Sequence, residues 1–485
     1  MNRKIIASAL ILSALMNCSC ARSQEISYPP EVREVFDEAD EAAAPLVGFR
    51  PMIGLPKALA DRSEEIIGLG GIPVVISVGL DSEQYAAWCS VLDGLLLGDG
   101  FVTASDKGSL LLFKAAADRN LPVMGSNKLM DKINAGLYRR KENPASAGDL
   151  VKAASLYHQA RELHKRMFTL DTHSDLPYLY RRGFRLGRRA VNQVSIRKMD
   201  EGGLDATFLI CYLGQKDKGS EAEAARWCLG RLEEIRADVN GNSAHAALAT
   251  TPEQARLAKA EGKKAFFIGI ENGFCIGNDL KNIEKYANLG VRYITLSHTS
   301  DNKICHSSSH SADTTLGLTA FGEQVVREMN RCGVLVDCSH VSAGTLRDCI
   351  RLSKAPVICS HSGCRALYDH DRNLTDSQLR AVAGSGGVVQ IYAVRGFQSR
   401  GQASIGTLLD HIDHAVEVAG IDHVGIGLDL DGGGGYAGIC GANDAINITI
   451  GLLERGYSGS DIAKIWSGNF FRVMDQAARI AEELR

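Results

Sequence analysis

Eight short apolar segments follow one another through the last two-thirds of the chain, and stretches with helical spacing separate them. These segments lie at 168–175, 206–213, 265–271, 293–298, 334–340, 356–361, 387–392 and 424–429. Strand-length apolar runs that alternate with helices are typical of a parallel sheet covered by helices. Eight such units predict an α/β fold of the (β/α)8, or TIM, barrel type across residues 155–485.

A smaller α/β pattern precedes the barrel. Short apolar runs alternate with helix-like stretches at 51–56, 72–78, 93–100 and 121–126. This pattern predicts a small doubly wound α/β domain across 50–140. Polar, turn-rich stretches at 22–49 and 141–154 are interpreted as linkers.

The first residues have the pattern of an export signal. Two basic residues precede an apolar run at 5–16, which is too short to span a bilayer but matches the core of a secretory signal. Cleavage after Ala21 would remove a signal peptide of residues 1–21, and lipidation at Cys18 is the alternative. Either outcome predicts an exported protein, in the periplasm or as a membrane-anchored lipoprotein that faces outside the cytoplasm.

Charge and composition exclude several classes of partner. The formal net charge is −3, with 45% hydrophobic and 23% charged residues. These values are typical of a soluble globular protein and predict no surface for nucleic acid or for an anionic membrane. We therefore expect membrane contact only through a lipid anchor.

The cysteines show neither a zinc-finger spacing nor a disulfide framework. Of thirteen cysteines, two lie in the leader, which leaves an odd number. Cys211, Cys338 and Cys359 lie inside apolar strand-like runs and have the character of small core residues. We predict mostly buried free thiols, with one disulfide bridge as an open alternative.

Two consecutive strand-like runs end on the same dipeptide, at Ser339-His340 and Ser360-His361. The helix-like segment between them has Ser342 as its predicted N-cap. A strand, a helix and a strand form a βαβ unit, so both histidines should end neighbouring parallel strands about 4.8 Å apart. One such histidine would be interpreted as a buried core residue, but two in the same register favour a shared metal ion.

Other carboxylates and imidazoles end further strands. His173 and Asp175 are two residues apart and should face the same side of an extended chain. Glu271 ends the third apolar run, where an unpaired carboxylate would be costly to bury, and it could bridge two ions. Imidazole and carboxylate ligands suit zinc.

Four polar residues remain at the predicted barrel mouth. His298 is either a further ligand or, as fits better, a group that stabilises an oxyanion. Asp429 is the first candidate for a general base and Asp431 the second, with a calcium loop at this DxDG sequence as the alternative. Arg372 could bind a substrate carboxylate, although the sequence alone favours a solvated loop arginine.

Ordered motifs across about two-thirds of the chain carry a family resemblance. They lie at 171–177, 269–271, 289–298, 317–319, 325–330, 337–342, 356–362, 372–373, 425–429 and 468–470. With these motifs, the stretch from about 168 to 485 resembles the membrane (renal) dipeptidases, a dinuclear zinc branch of the amidohydrolase-like barrels.

The resemblance implies two Zn²⁺ ions per chain. It places one ion on His173, Asp175 and Glu271. It places the other ion on Glu271 again, together with His340 and His361.

The resemblance also implies an activity. Such enzymes hydrolyse dipeptides, often with a D-residue on the carboxyl side, and some open β-lactams. A hydroxide that bridges the metals would attack the scissile carbonyl. Asp429 would act as acid/base, His298 would support the oxyanion and Arg372 would hold the carboxyl terminus. A homodimer is expected on the same grounds.

Several positions depart from the family's pattern. Asn272-Gly273 stands where the family usually has Gly-Gly, and the loop 301–310 lacks the usual tryptophan. Leu428 and Leu430 replace small and aromatic residues around Asp429. All predicted ligands are kept, so we expect an altered substrate pocket. A dinuclear hydrolase of another small amide or lactone, or a non-catalytic exported binding protein, are the alternatives.

The front domain carries a second resemblance. Its motifs at 50–54, 70–74, 93–97 and 121–125 resemble the amino-terminal half of class I glutamine amidotransferase-like domains. Asn127 stands at the position of the nucleophilic cysteine, and Ser126 lacks a base. We interpret this domain as a degenerate, catalytically inactive remnant.

Overall fold

The computed structural model describes residues 52–56, 72–76, 123–124, 147–188, 192–215, 219–309 and 313–485. The chain divides into two compact units, Met1–Ala160 and Arg161–Arg485. The predicted leader, the linker at 22–49 and the Ser126-Asn127 turn lie outside the described residues. Within the described part of the chain, no helix is long and apolar enough to cross a membrane.

The first unit contains a three-stranded sheet. Strand β1 (Met52–Pro56) lies between β2 (Ile72–Ile76) and β3 (Val123–Met124). Strands β1 and β2 are parallel, as a doubly wound sheet requires, but β3 runs antiparallel to β1. The remaining expected strand of this domain, at 93–100, lies outside the described residues.

A long helix, α1 (Ala147–Arg166), precedes the barrel. The second half of the stretch predicted as a linker at 141–154 is therefore helical. Its sequence has no proline after Ala147 and only one glycine, Gly148, in the first turn, whereas Pro144 lies just before the helix begins.

Eight parallel strands form the predicted barrel, in the order β13-β12-β10-β9-β8-β7-β5-β4. They are β4 (Leu170–Ser174), β5 (Ala206–Tyr212), β7 (Lys264–Glu271), β8 (Val291–Thr295), β9 (Leu335–Asp337), β10 (Ile358–Cys364), β12 (Val388–Ile391) and β13 (Val424–Ile426). Each coincides with one of the eight apolar runs.

Polar contacts bring the first and last strands together. Ser174 forms a parallel bridge with Leu430, and the Asp175 amide donates to the Leu430 carbonyl at 2.8 Å. The buried Asp171 carboxylate accepts the Leu428 amide at 2.8 Å. These contacts join the chain after β13 to β4 and place Asp429 beside the end of β4.

Two short strands were not predicted. Strand β6 (Ala246–Leu248) pairs with β7, and β11 (Asn373–Leu374) pairs with β10. Strands of two or three residues carry too little periodicity to be recognised in a sequence.

Helices follow the strands around the barrel. They are α2 (Ile196–Gly202), α3 (Glu221–Gly241), α4 (Pro252–Ala260), α5 (Lys281–Asn288), α6 (Ala320–Cys332), α7 (Ala343–Leu352), α8 (Asp376–Gly384), α9 (Arg395–Gln398), α10 (Ile405–Ala419), α11 (Ile446–Glu454), α12 (Gly459–Ala463) and α13 (Asn469–Glu483). Ser342 caps α7 as predicted, since its side chain accepts the Thr345 amide at 3.1 Å.

Aromatic residues fill the barrel away from the polar strand ends. Phe208 stacks on Phe267 and contacts the edge of Phe470, with ring centroids 4.8 and 5.4 Å apart. Burial of such side chains supplies the main driving force for closing the barrel. The described cysteines are free and mostly buried, as predicted, and no disulfide occurs among them.

Candidate metal centre

The predicted ligands converge at the carboxyl ends of the barrel strands. His173, Glu271, His340 and His361 are at most 5% exposed, as is Asp175. Parallel strands end on one edge of the barrel, so residues far apart in the chain meet there. A buried set of three imidazoles and two carboxylates is the chemistry of a metal centre rather than of an apolar core.

Glu271 lies between two sets of imidazoles. Its Oε1 atom is 3.0 Å from His340 Nε2 and 3.3 Å from His361 Nε2. Its Oε2 atom faces the other way and is 3.8 Å from His173 Nε2. One carboxylate therefore presents one oxygen to each side of the site, which is the arrangement that a bridging ligand requires.

His173 and Asp175 form the second side of the site. Their Nε2 and Oδ2 atoms are 3.6 Å apart. Among the described residues, neither His173 Nε2 nor Asp175 Oδ1 has a hydrogen-bond partner. Buried polar atoms without hydrogen-bond partners destabilise the folded protein unless a ligand occupies the space between them.

These donors could hold a metal ion. Three groups have their donor atoms within 4.8 Å of one another: His173, Glu271 and His361; Glu271, His298 and His340; and His173, Asp175 and Asp429. The first two share Glu271, and the last shares His173 with the first. His361 also lies 2.9 Å from His340 between Nε2 atoms, so its assignment to one ion stays a prediction.

The imidazoles determine the charge of the Glu271 carboxylate. Burial acts to raise the pKa of Glu271, but His298, His173 and His340 outweigh it and hold this pKa well below its usual value. Glu271 is therefore ionised at the centre of the site, as a bridging ligand must be.

Burial also determines which imidazoles are neutral. It lowers the pKa of His340 and of His361 well below the ordinary value, so both keep a free lone pair for a metal. In His173 burial has the same effect, but Asp175 and Glu271 outweigh it and raise the pKa. A metal ion would take the place of the proton that these carboxylates attract.

His298 lies at the edge of the site. Its ring centroid is 4.3 Å from that of His340 and 4.9 Å from that of Tyr212, which it meets edge-on. Burial lowers the pKa of His298. Both predicted roles, ligand and oxyanion donor, stay open from this position. Tyr212 was missed from the sequence, although it ends β5 as the other site residues end their strands.

Arg372 is not a solvated loop residue. It is 3% exposed, and its Nη2 atom donates to the His361 carbonyl at 3.0 Å. Within the described residues, its Nε atom has no partner and no carboxylate pairs with it. A buried cation of this kind is costly unless an anion arrives to pair with it.

The two aspartates after β13 have different environments. Burial raises the pKa of Asp429 well above its usual value, and the nearby Asp175 and Glu271 carboxylates add to this effect. By contrast, the two oxygens of Asp431 accept the Gln193 and Val194 amides at 2.6 and 3.1 Å. Asp431 therefore anchors a neighbouring segment.

The DxDG sequence has a steric explanation other than calcium. A Cβ atom added at Gly432 would lie 2.0 Å from Asp175 Oδ2 and 2.5 Å from Asp429 Oδ1. Glycine is needed there because two carboxylates approach the backbone. No group of potential metal ligands in the described part of the chain includes Asp431, so the calcium alternative gains no support.

Backbone strain is concentrated around the site. The non-glycine residues with positive φ in the described ranges are Asn272, His340, Asp429 and Asp431, with φ of 81°, 67°, 63° and 66°. Each follows the end of a barrel strand. Such conformations persist where the surrounding structure enforces them, typically at functional sites.

Two of the departures from the family pattern contact each other. The side chain of Asn302, in the altered loop 301–310, donates to the Asn272 side-chain oxygen at 3.2 Å. In the same loop, Ser307 Oγ donates to the His298 carbonyl at 2.5 Å and also lies 3.2 Å from the His340 carbonyl. The altered loop therefore supports the backbone of two site histidines.

Comparisons with known proteins identify the family of the chain. Residues 157–485 match the membrane dipeptidase family, peptidase family M19. Dipeptidase 3 from Macaca fascicularis is 31% identical over 355 residues, which cover 69% of this chain and 70% of that protein. Dipeptidase 3 from Homo sapiens is 30% identical over 354 residues, with 69% and 70% covered.

Solved structures share the fold. The probable dipeptidase PvdM from Pseudomonas aeruginosa has a TM-score of 0.64 and 26% identity, over 67% of this chain and 99% of that one. A metallo peptidase from Rhodobacter sphaeroides, liganded with a phosphinate mimic of the dipeptide L-Ala-D-Ala, has a TM-score of 0.59 and 22% identity, over 64% and 99%.

These matches favour an enzyme over a non-catalytic binding protein. They cover the barrel and the metal centre and agree with the (β/α)8 prediction. The chain therefore belongs to the membrane dipeptidase family, peptidase family M19, and is a metallo-dipeptidase, a hydrolase acting on dipeptides.

Proposed function

We propose that this chain is a two-zinc dipeptidase that hydrolyses dipeptides with a free carboxyl terminus. The position of Glu271 carries the proposal, because its two oxygens face different sets of imidazoles. Imidazole and carboxylate donors favour zinc over magnesium or calcium, which prefer all-oxygen ligands. His173 and Asp175 would hold one ion, and His340 and His361 the other.

The buried Arg372 supports recognition of the substrate carboxyl terminus. Its guanidinium borders a recess that His340, Ser362 and Leu374 also line. A terminal carboxylate in this recess would accept charge-assisted hydrogen bonds from the arginine that lacks a carboxylate partner in the described residues. The cost of burying this cation would then be offset when substrate binds.

Other residues of the chain would move the protons. When bound, zinc would supply Lewis acidity, which would polarise the scissile carbonyl and lower the pKa of a water molecule. Asp429, whose burial favours proton uptake, would accept a proton from the attacking water and donate it to the leaving nitrogen. His298 would donate to the oxyanion as the carbonyl carbon becomes tetrahedral.

The preferred stereochemistry is part of the same proposal. The structural neighbour from Rhodobacter sphaeroides is liganded with a mimic of L-Ala-D-Ala. We propose that this chain also accepts a D-residue on the carboxyl side. The substrates to compare are therefore L-Ala-L-Ala and L-Ala-D-Ala.

Export is proposed on the sequence of residues 1–21. Cell fractionation of the full chain and of a chain without this segment would test it. We expect the full chain outside the cytoplasm and the truncated chain inside. Retention of the full chain in the cytoplasm would refute export without affecting the proposed chemistry.

A substrate panel tests the proposed function. Each dipeptide is compared with its carboxyl-amidated form and with a small lactone. We expect amidation, or the substitution Arg372→Met, to raise KM by about 10–100-fold, as for a lost charge-assisted pair. Arg365→Met is the matched control, since this arginine borders the same recess but already pairs with Asp371 at 2.9 Å. Equal turnover of free and amidated substrates, or preference for the lactone, would contradict the proposal.

A further inference from the structure

Beneath the metal centre lies a carboxylate that the proposed reaction does not use. Asp337, at the end of β9, is fully buried. Its Oδ1 atom accepts the amides of Ser339 and Ser360 at 3.0 and 2.8 Å. Its Oδ2 atom accepts the hydroxyls of Thr295 and Ser360, both at 2.5 Å. Four donors surround this side chain, which therefore acts as an acceptor.

This arrangement fixes the direction of the next hydrogen bond. A serine hydroxyl has one proton, and that of Ser360 is donated to Asp337. The Ser360 oxygen also lies 2.9 Å from His361 Nδ1, so it must accept a proton from that nitrogen. His361 then carries its hydrogen on Nδ1, and the lone pair is on Nε2, the atom that faces Glu271.

A different group gives the same result for His173. The Tyr293 hydroxyl donates to the Thr172 carbonyl at 2.9 Å, and a carbonyl can only accept. The same hydroxyl lies 2.9 Å from His173 Nδ1 and must accept from it. His173 therefore also carries a hydrogen on Nδ1, which leaves Nε2, the atom that faces Glu271 and Asp175, available to a metal ion.

The third imidazole lacks this support. In the described part of the chain, His340 Nδ1 has no hydrogen-bond partner. The orientation of His340 depends instead on its own backbone, which has a φ of 67°. Two of the three histidines are thus held by hydrogen bonds from beneath, one on each side of the bridging Glu271.

We propose that Asp337, acting through Ser360, and Tyr293 are positioning residues that hold His361 and His173 in the Nδ1-protonated tautomer and direct each Nε2 to a metal. The inference rests on the proposed two-zinc site. The support for His361 ends on a side-chain carboxyl group that accepts four hydrogen bonds, whereas that for His173 ends on a backbone carbonyl. The two supports lie under different imidazoles, so each should affect mainly one ion.

Zinc affinity tests this proposal without reference to turnover. The metal-free enzyme competes for zinc with a chromophoric chelator. This competition gives the binding constant of each zinc ion. We expect Ser360→Ala and Tyr293→Phe each to weaken one of the two constants by about 10–100-fold, as is typical when the outer partner of a metal-binding histidine is removed. Unchanged constants in both variants would overturn the proposal.

Thr449→Val is the matched control. Thr449 is also buried, and its hydroxyl lies 2.7 Å from Nε2 of His164, a histidine outside the metal centre. We expect its zinc constants to equal those of the wild type. If the wild type binds two zinc ions but does not hydrolyse dipeptides, the proposed function fails and the positioning role is still measured by the variants. A wild type that binds no zinc would refute both.

A spectroscopic measurement on the wild type tests the proposal even if the Ser360 and Tyr293 variants fail to fold. Nitrogen-15 NMR of the zinc-loaded wild type with labelled histidine distinguishes Nδ1–H from Nε2–H imidazoles, and His361→Gln and His173→Gln assign the two signals. We expect the Nδ1–H form for both residues. An Nε2–H signal from either residue would overturn the proposal for that residue.

Discussion

Glu271 Oε1 lies 3.0 Å from His340 Nε2, and this contact joins the end of β7 to the chain that follows β9. The opposite oxygen of the same carboxylate faces His173. A single side chain therefore connects both halves of the site. Removing its charge should affect both ions, whereas the other carboxylate ligand belongs to one half.

The first prediction concerns this bridge. Glu271→Gln keeps the size of the side chain but removes the charge, so we expect both zinc ions to bind weakly and kcat/KM to fall by at least about 1000-fold. Asp175→Asn is the comparison and should weaken one ion only. Metal analysis after gel filtration measures both. A Glu271→Gln protein that retains two zinc ions would show that this residue is not a bridge.

The second prediction separates the two aspartates after β13. Asp429→Asn should lower kcat by about 100–10,000-fold with little loss of zinc, because it removes a general base. Asp431→Asn should leave kcat within about a factor of three and reduce thermal stability, because its oxygens accept two backbone amides. Steady-state kinetics and thermal unfolding distinguish them. The opposite pattern would make Asp431 the base.

The third prediction decides the role of His298. If His298 is the oxyanion donor, as we propose, His298→Ala should lower kcat by about 100–1000-fold without any loss of zinc. As a ligand, the same variant would lose zinc. Zinc content and kcat are measured on one preparation. Loss of one zinc equivalent would assign His298 to the metal centre.

How far the sequence predicts the site depends on the type of contact. The strands and their polar ends were predicted because apolar periodicity is local and parallel strands end on one edge. Arg372 was interpreted as more typical of a solvated loop. Its burial comes from a contact with the His361 carbonyl, which no local pattern shows.

The supporting residues were missed for a related reason. Tyr293 has the pattern of a core aromatic residue, and its role appears only when strand register places its hydroxyl under His173. Asp337 did leave a signal, since a carboxylate inside the apolar run at 334–340 must have partners. The antiparallel pairing of β3 with β1 is likewise a long-range outcome that two apolar residues cannot indicate.

The fourth prediction concerns pH and uses a histidine outside the metal centre. Burial lowers the pKa of His411 from 6.5 to about 4, and its Nδ1 atom accepts the Cys364 amide at 2.9 Å. The unfolded chain takes up a proton near pH 6.5 while the folded chain does not. The stability that a neutral His411 confers is therefore full above pH 6.5 and is lost as the pH falls towards 4, by up to about 3 kcal/mol.

His411→Asn tests this pH dependence, because asparagine can accept the same amide but does not titrate. Urea unfolding of the metal-free proteins between pH 4.5 and 7 compares the two slopes. We expect the free energy of unfolding to fall less steeply with acid in the variant. If the free energy of unfolding falls equally with acid in both proteins, then His411 has the same pKa in the folded and the unfolded chain.

A zinc titration of the chelated enzyme, with hydrolysis of L-Ala-D-Ala and L-Ala-L-Ala as the readout, tests the two-zinc site directly. We expect no hydrolysis without metal and full activity at two zinc equivalents per chain. Activity that survives chelation, or that reaches its maximum at one equivalent, would contradict the two-zinc site built on Glu271.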